Sequence, residues 1–209
     1  YNSRRKRPSV RMPPPTDVAA LKAEYLTKGL DRDADTFVLY RILGNDLPPR
    51  HKAGQTLDNL RFMLENEPQF ENCEKRWVVN RIVDPDQESP ILEVLEQHDQ
   101  PYLRIPFELE EYRLCDWDFQ TFPRPDFFLN GPYAEMTEYD QQRAEAHVRR
   151  HKNRYAINNN GARNTALRDG RDRAKWVLPW DGNCFLTASA WDEIVDGVKN
   201  SPYLKYFTV

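Results

Sequence analysis

Four polar turns in this chain carry side chains equipped to bind a ligand or take part in a reaction. Leu43-Gly44-Asn45-Asp46 follows an apolar run over 36–42. Asp84-Pro85-Asp86 follows another over 75–83, and Trp180-Asp181-Gly182-Asn183 follows a third over 175–179. Asn158-Asn159-Asn160-Gly161 precedes a helical segment. Carboxylates on such turns accept hydrogens from hydroxyls and amides, and Asp or Asn oxygens ligate hard cations. Taken singly each turn has a plainer reading. Asp-Gly is an ordinary turn after a strand, Asn is a good helix cap, and Asp84-Pro85-Asp86 is a helix start.

Other chemistries lack their residues. No GxxxxGK[ST] run is present to cradle phosphates, and no GxSxG elbow is present for a serine hydrolase. His147 and His151 stand at the i, i+4 spacing of a helical metal pair, but no HExxH accompanies them. With Arg149, Arg150 and Lys152 around them they read as a basic solvated face. The three cysteines, Cys73, Cys115 and Cys184, are far apart with no CxxC spacing, so neither a zinc site nor a disulfide framework is indicated.

The elements that must position the turns can be read from periodicity. Thr16 and Asp17 cap a short helix to Lys28, and Gly29 stops it. Residues 36–42 form strand one. A helix follows over 55–65, with Leu57, Leu60, Met63 and Leu64 on one face. A second strand spans 75–83, a second helix 90–98, and a third strand 102–105. The stretch 106–139, rich in Phe, Tyr, Trp and Pro without a period, reads as an insertion or lid that extends to about 150. A charged helix from Asp140 leads to 155–157. A helix over 162–171 behind an Asn cap, a strand over 175–179, a helix over 189–198 and a last strand from Tyr203 complete the chain. Strands alternating with helices predict an α/β fold with a mostly parallel sheet, because parallel neighbours need a crossover.

The 209 residues suit one sizeable domain over 16–209 behind a basic, proline-rich linker or stem over 1–15. Hydrophobic residues at 39% can build a core, and charged residues at 30% place the chain among soluble proteins. A net charge of −3, with the basic residues crowded at the start, argues against a nucleic-acid partner. No apolar run of roughly eighteen residues spans a membrane, and no signal peptide lies within the chain. Both ends read as cuts in something longer, the second at an apolar stretch. Cytoplasmic placement is the default, and a secretory lumen is the alternative if an anchor lies upstream.

The run Asn160-Gly161-Ala162-Arg163-Asn164-Thr165-Ala166-Leu167, a basic spacer, and then Trp176-Val177-Leu178-Pro179-Trp180-Asp181-Gly182-Asn183 resembles the central signature of inverting GT-A glycosyltransferases. In that family an Ala-Arg-Asn helix precedes an apolar strand that ends in Asp-x-Asp. The resemblance covers about 36–209, and its specific part is 158–183. It implies a Rossmann-like sheet, with a nucleotide-diphosphate sugar donor outside the carboxyl ends of the strands and a glycan or other hydroxyl as acceptor.

Carried over residue by residue, the resemblance assigns Arg41, Asn45, Asp46, Asp84, Asn160, Arg163 and Asp181 to the donor. Arg163 would offset diphosphate charge, since a guanidinium binds phosphate in a bidentate fork. Asp181 would contact the ribose and, with Asn183, hold Mn²⁺ or Mg²⁺. Asn183 stands where the family has a second Asp, and fewer carboxylates bind a hard cation more weakly. No residue is identified as the catalytic base, because Asp192, Glu193 and Asp196 fall on the solvated face of a helix. The alternative is a noncatalytic GT-A-like module that binds a saccharide or nucleotide within a larger polysaccharide-processing protein.

Overall fold

The computed structural model describes residues 16–48, 51–120 and 125–207. The basic stem expected over 1–15 lies outside the described residues, as do the last two residues of the expected terminal strand. The chain divides into two compact units, one holding the described residues of 16–34 and 192–207, the other residues 35–191.

In the first unit, α1 (Val18–Thr27) begins where the Asp17 carboxylate accepts the Ala20 N–H, and it ends before Gly29, whose φ of 69° needs a glycine. Lys28 and Lys205 both pair with Glu24, and they hold its carboxyl down at about 2. The strand expected from Tyr203 does not form over 203–207, which are turn and irregular backbone. Among the described residues this apolar stretch has no neighbouring strand to complete a ladder, and strand propensity is context-dependent. Lys22 Nζ lies 4.8 Å over the Tyr203 ring instead.

The second unit is α/β. β1 (Phe37–Leu43) leads to α2 (Gln55–Asn66), then β2 (Cys73–Asn80), α3 (Pro85–Gln97) and β3 (Tyr102–Ile105). The four-stranded sheet is parallel throughout, in the order β3-β2-β1-β4, with β4 spanning Trp176–Asp181. This is the order of the first half of a doubly wound sheet, and its direction reverses between β1 and β4. β1 is buried along its whole length, as a strand covered on both faces must be.

α3 begins five residues earlier than its apolar period suggests. Asp84 caps it by accepting the Asp86 N–H, and Pro85 at the first helical position has φ already set. Pro90 therefore lies inside the helix, where it withholds a donor from the carbonyl of exposed Asp86. β4 extends past Pro179 to Asp181. Trp176 and Gly182 direct their N–H groups to β1 at Thr36 and Ile42, so the alternate positions, Pro179 among them, face the free edge where no donor is needed.

The stretch expected to be irregular from 106 is largely helical. It holds α4 (Leu109–Leu114), α5 (Pro125–Leu129), a 3-10 turn (Pro132–Glu135) and α6 (Glu138–Val148), which Thr137 caps by accepting the Asp140 N–H. The aromatic residues Phe127, Phe128 and Tyr133 pack on one another with centroids 4.9–6.3 Å apart. The single charged helix expected from Asp140 is two, α6 and α7 (Arg150–Ile157), joined at Arg149. α8 (Asn159–Gly170) then returns to the sheet, and α9 (Ala188–Asn200) follows β4.

Strand alternation divides the core between two faces. Leu43, Trp77 and Val79 pack under α2 and α3 against Leu60, Met63, Ile91 and Leu95. Val38, Tyr40, Ile42 and Val78 pack under α8 against Ala162 and Ala166. Gly170 lets α8 sit close, since a Cβ there would meet Val177 Cγ1 at 2.7 Å.

Candidate functional site

The carboxyl end of β4 brings two of the sequence-predicted residues together. Asp181 pairs in register with Ile42, so it shares the α8 face of the sheet. Arg163, in the second turn of α8, reaches it with Nη2 2.7 Å from Oδ1. Both side chains remain partly open to solvent, 39% and 52% exposed. Gly182 allows this strand end to close on β1. Its N–H donates to the Ile42 carbonyl at 2.7 Å, and a Cβ would meet that same oxygen at 2.6 Å. α8 runs antiparallel to the strands, so its N-terminus and its positive dipole end lie at this edge.

Asn183 is exposed in the turn that follows, with Oδ1 3.7 Å from Cys184 Sγ. Among the described residues no three of His, Cys, Asp and Glu converge as a metal-holding group. Asp181 and Asn183 offer one carboxylate and one amide oxygen. That donor set fits a hard cation carried mainly by ligand phosphates, and it does not fit a cation caged by protein alone.

Four of the other predicted residues, Arg41, Asn45, Asp46 and Asp84, have partners within the protein. Arg41 is wholly buried on the opposite face, because in β1 it alternates with Tyr40 and Ile42. Its Nη2 pairs with buried Glu67, its Nε and Nη1 have no hydrogen-bond partner among the described residues, and the Trp180 ring lies 5.3 Å away. Asp46 supplies the start of α2, where Gly54 has no side chain to do so. Its two oxygens accept from Gly54 N at 2.7 Å, Thr56 N at 3.0 Å and Thr56 Oγ1 at 2.8 Å. Asn45 links three segments, donating to the Arg81 and Ala156 carbonyls and accepting from Val83 N. Asp84 is the exposed cap of α3, and Asn160 is exposed in the first turn of α8.

Sequence reasoning missed a cluster where α7 meets the ends of β1 and β2. Asn80, almost wholly buried, donates to the Ile157 carbonyl at 2.9 Å and accepts from Asn158 Nδ2 at 2.9 Å. Arg81 donates to the Tyr155 carbonyl at 2.9 Å and lies over the Tyr155 ring at 3.7 Å. Asn158, expected as a side-chain cap, sits at the cap position of α8 but makes no capping hydrogen bond, because its left-handed backbone turns the amide to Asn80. The available signal was the polar Asn80-Arg81 pair closing an apolar strand. Glu67 was missed as well. A charged residue inside a fully apolar strand demands a partner, yet nothing in the 33 acidic residues marks Glu67 as that partner.

The basic face expected around His147 and His151 is partly turned inward. Lys152 is buried, donates to the Tyr112 carbonyl at 2.8 Å and lies over the Tyr112 ring. Arg150 pairs with buried Asp118, and His147 Nε2 is 3.7 Å from the same carboxylate. Burial alone would raise the Asp118 pKa, but the Gln120 N–H, Arg150 and the two histidines outweigh it and hold the group charged. α6 and α7 fold back on 112–120, and this contact creates an inside that a linear charge run does not reveal.

Below the site, Tyr40 donates to Asp169 Oδ2 at 2.5 Å, and Arg76 and Arg173 pair with the same carboxylate at 3.1 and 2.9 Å. The network ties α8 to β1 and β2, so it fixes the helix that carries Arg163. All three cysteines are free thiols. Among the described residues no helix is long and apolar enough to cross a membrane.

Comparison with protein-family models, with curated proteins and with solved structures finds no match to this chain, so its fold class and candidate site rest on the geometry above.

Proposed function

We propose that the chain is the donor-binding part of a GT-A type glycosyltransferase, which takes a nucleotide-diphosphate sugar at the β1/β4 switch point and passes the sugar to an acceptor hydroxyl with inversion. The observation that carries this reading is the Arg163–Asp181 pair at the carboxyl edge of a parallel sheet, where ligands of such sheets lie. The two residues are the Arg and the Asp of the signature in 158–183.

The chemistry assigns each group a task. Arg163 turns its fork to the diphosphate, assisted by the dipole at the start of α8. Asp181, released from that arginine, accepts hydrogens from ribose or sugar hydroxyls. Mn²⁺ or Mg²⁺, held by Asp181 and Asn183 together with the diphosphate, would neutralise charge on the leaving group. A noncatalytic saccharide- or nucleotide-binding module is the second reading, and it draws on Asn183, which leaves that cation a single carboxylate.

Calorimetric titration with UDP and GDP, with and without Mn²⁺, tests the proposal on the wild type and Asp181→Ala. Micromolar binding that the variant loses supports it, and a folded chain that binds neither nucleotide sinks it. Binding without turnover of any donor sugar favours the module.

A further inference from the structure

We infer that α7 is a detachable strap over the carboxyl ends of β1 and β2, which must lift before a ligand can reach the polar groups there. The inference rests on reading the sheet edge as a ligand site. The last carbonyls of a helix have no partner within it. In α7 the final three are each taken by a side chain from the sheet edge. Arg81 Nη1 donates to Tyr155 O at 2.9 Å, Asn45 Nδ2 to Ala156 O at 3.3 Å, and Asn80 Nδ2 to Ile157 O at 2.9 Å.

The attachment is polar. The one fully buried side chain α7 contributes is Lys152, and neither apolar cluster on the two faces of the sheet includes an α7 residue. α7 meets aromatic side chains elsewhere, its Tyr155 ring lying 5.8 and 6.2 Å from those of Phe107 and Tyr112. A segment held by few apolar contacts opens at a lower free energy than the core beneath it.

The backbone at both ends of the contact is left-handed. Arg81 has φ 44°, a left-handed conformation that costs a side chain as large as arginine. Its backbone is held by its N–H on the Ile105 carbonyl at 2.8 Å and by Asn45 on its own carbonyl, which leaves its side chain to reach α7 and its neighbour α4 through the Tyr155 carbonyl, the Tyr155 ring and Glu111, 3.7 Å away. Asn158, also at φ 44°, is the single-residue joint between α7 and α8, and its amide bonds Asn80. Gly161 makes room for that amide, since a Cβ there would collide with Asn158 Oδ1.

The donors of Asn45, Asn80 and Arg81 are those a nucleoside diphosphate lying over β1 and β2 would seek for its base carbonyls, ribose oxygens and phosphates. Helix and ligand compete for them, so ligand binding and strap opening are linked.

The test is amide hydrogen exchange on the full chain, for the wild type, Arg81→Gly and Tyr155→Ala. Glycine accepts the left-handed backbone at 81, so the first variant keeps the end of β2 while it removes the clamp. Wild-type α7 amides are expected to exchange faster than those of β1 and β2. Both variants should speed α7 exchange by tenfold or more and leave the sheet unchanged. Exchange of α7 in step with β2 in all three proteins overturns the strap. Titration with UDP then reads the gating, and Tyr155→Ala, with an opened strap, should bind at least threefold more tightly than the wild type. Equal or weaker binding overturns the gating. If neither protein binds UDP or GDP, the donor-site reading fails and the gating with it, while the exchange data still decide whether α7 is a strap.

Discussion

Arg163 Nη2 and Asp181 Oδ1 lie 2.7 Å apart across 18 residues of sequence, joining the helix before β4 to the end of β4. The pair is more than one-third exposed on each side, and a surface ion pair contributes only about 0.2–1 kcal/mol. Its value therefore lies in what the two charges can reach. Arg163→Ala and Asp181→Ala are each expected to unfold within about 1 kcal/mol of the wild type while losing at least tenfold in UDP affinity. The exchanged pair Arg163→Asp with Asp181→Arg restores the ion pair but not the affinity. Calorimetry beside urea unfolding checks both, and affinity restored by the exchange would reduce the pair to a structural tie.

Glu67 stands at the opposite extreme. Its carboxylate receives Arg41, Lys75 at 3.0 Å and the Leu186 N–H at 3.0 Å, with almost no solvent access. Removing one member of a buried pair leaves an uncompensated charge, at a cost of about 3–5 kcal/mol. Glu67→Ala is expected to lose that much in urea unfolding, far more than either exposed variant.

Burial alone would raise the pKa of Asp169, but the Tyr40 hydroxyl, Arg173 and Arg76 outweigh it and hold the carboxyl below its usual range. A depressed carboxylate contributes stability that is full above its unfolded value, about pH 4, and is lost as pH falls through the lower folded value. Asp169→Asn should flatten the acid side of the stability profile. Tyr40→Phe, which removes one hydrogen bond to that charged group, should cost about 1.5–3 kcal/mol at neutral pH and flatten it partly. Unfolding followed from pH 7 to 2 gives both results, and an unchanged acid limb in Asp169→Asn would refute the assignment.

Burial pushes the Cys73 thiol up to about 11, whereas Cys184 is exposed. The thiolate is the nucleophile in alkylation. Iodoacetamide at pH 8 is expected to label Cys184 first and Cys73 only on unfolding, as read by peptide mass spectrometry.

Gly182 tests how closely β4 must approach β1. An added methyl would stand 2.6 Å from the Ile42 carbonyl oxygen and 2.8 Å from Leu43 Cδ2. Gly182→Ala is expected to cost about 1–3 kcal/mol, as overpacking does, and to weaken UDP binding by shifting Asp181. A variant as stable as the wild type would show that the strand end has room to move.

The α/β alternation was legible in the chain, because β1, α2 and β3 are coded by local period and bounded by turn residues. β3 spans Tyr102–Ile105 as expected, while α3 starts five residues before Pro90, the start its apolar period predicts. Residues 203–207 carry strand-forming types, but a strand also needs a partner, which local sequence does not display. Asp46 and Asp84 carried a signal of turn chemistry, and both satisfy helix starts, a use that sequence cannot separate from ligand binding. Lys152, expected on a solvated basic face, is buried.

What the sequence determined by itself was short-range: which segments form strands and helices, where turns interrupt them, and that Arg163 and Asp181 flank one strand. The tertiary structure alone decided partners. Strand parity placed Asp181 on the α8 face with Arg163 and turned Arg41 to the other face toward Glu67. The return of α7 onto the sheet edge gave Asn45, Asn80 and Arg81 the carbonyls they bind. The reason is physical. Periodicity fixes which way a side chain leaves its own element, but a hydrogen bond or ion pair depends on how distant elements pack, and that packing follows from burial over the whole unit.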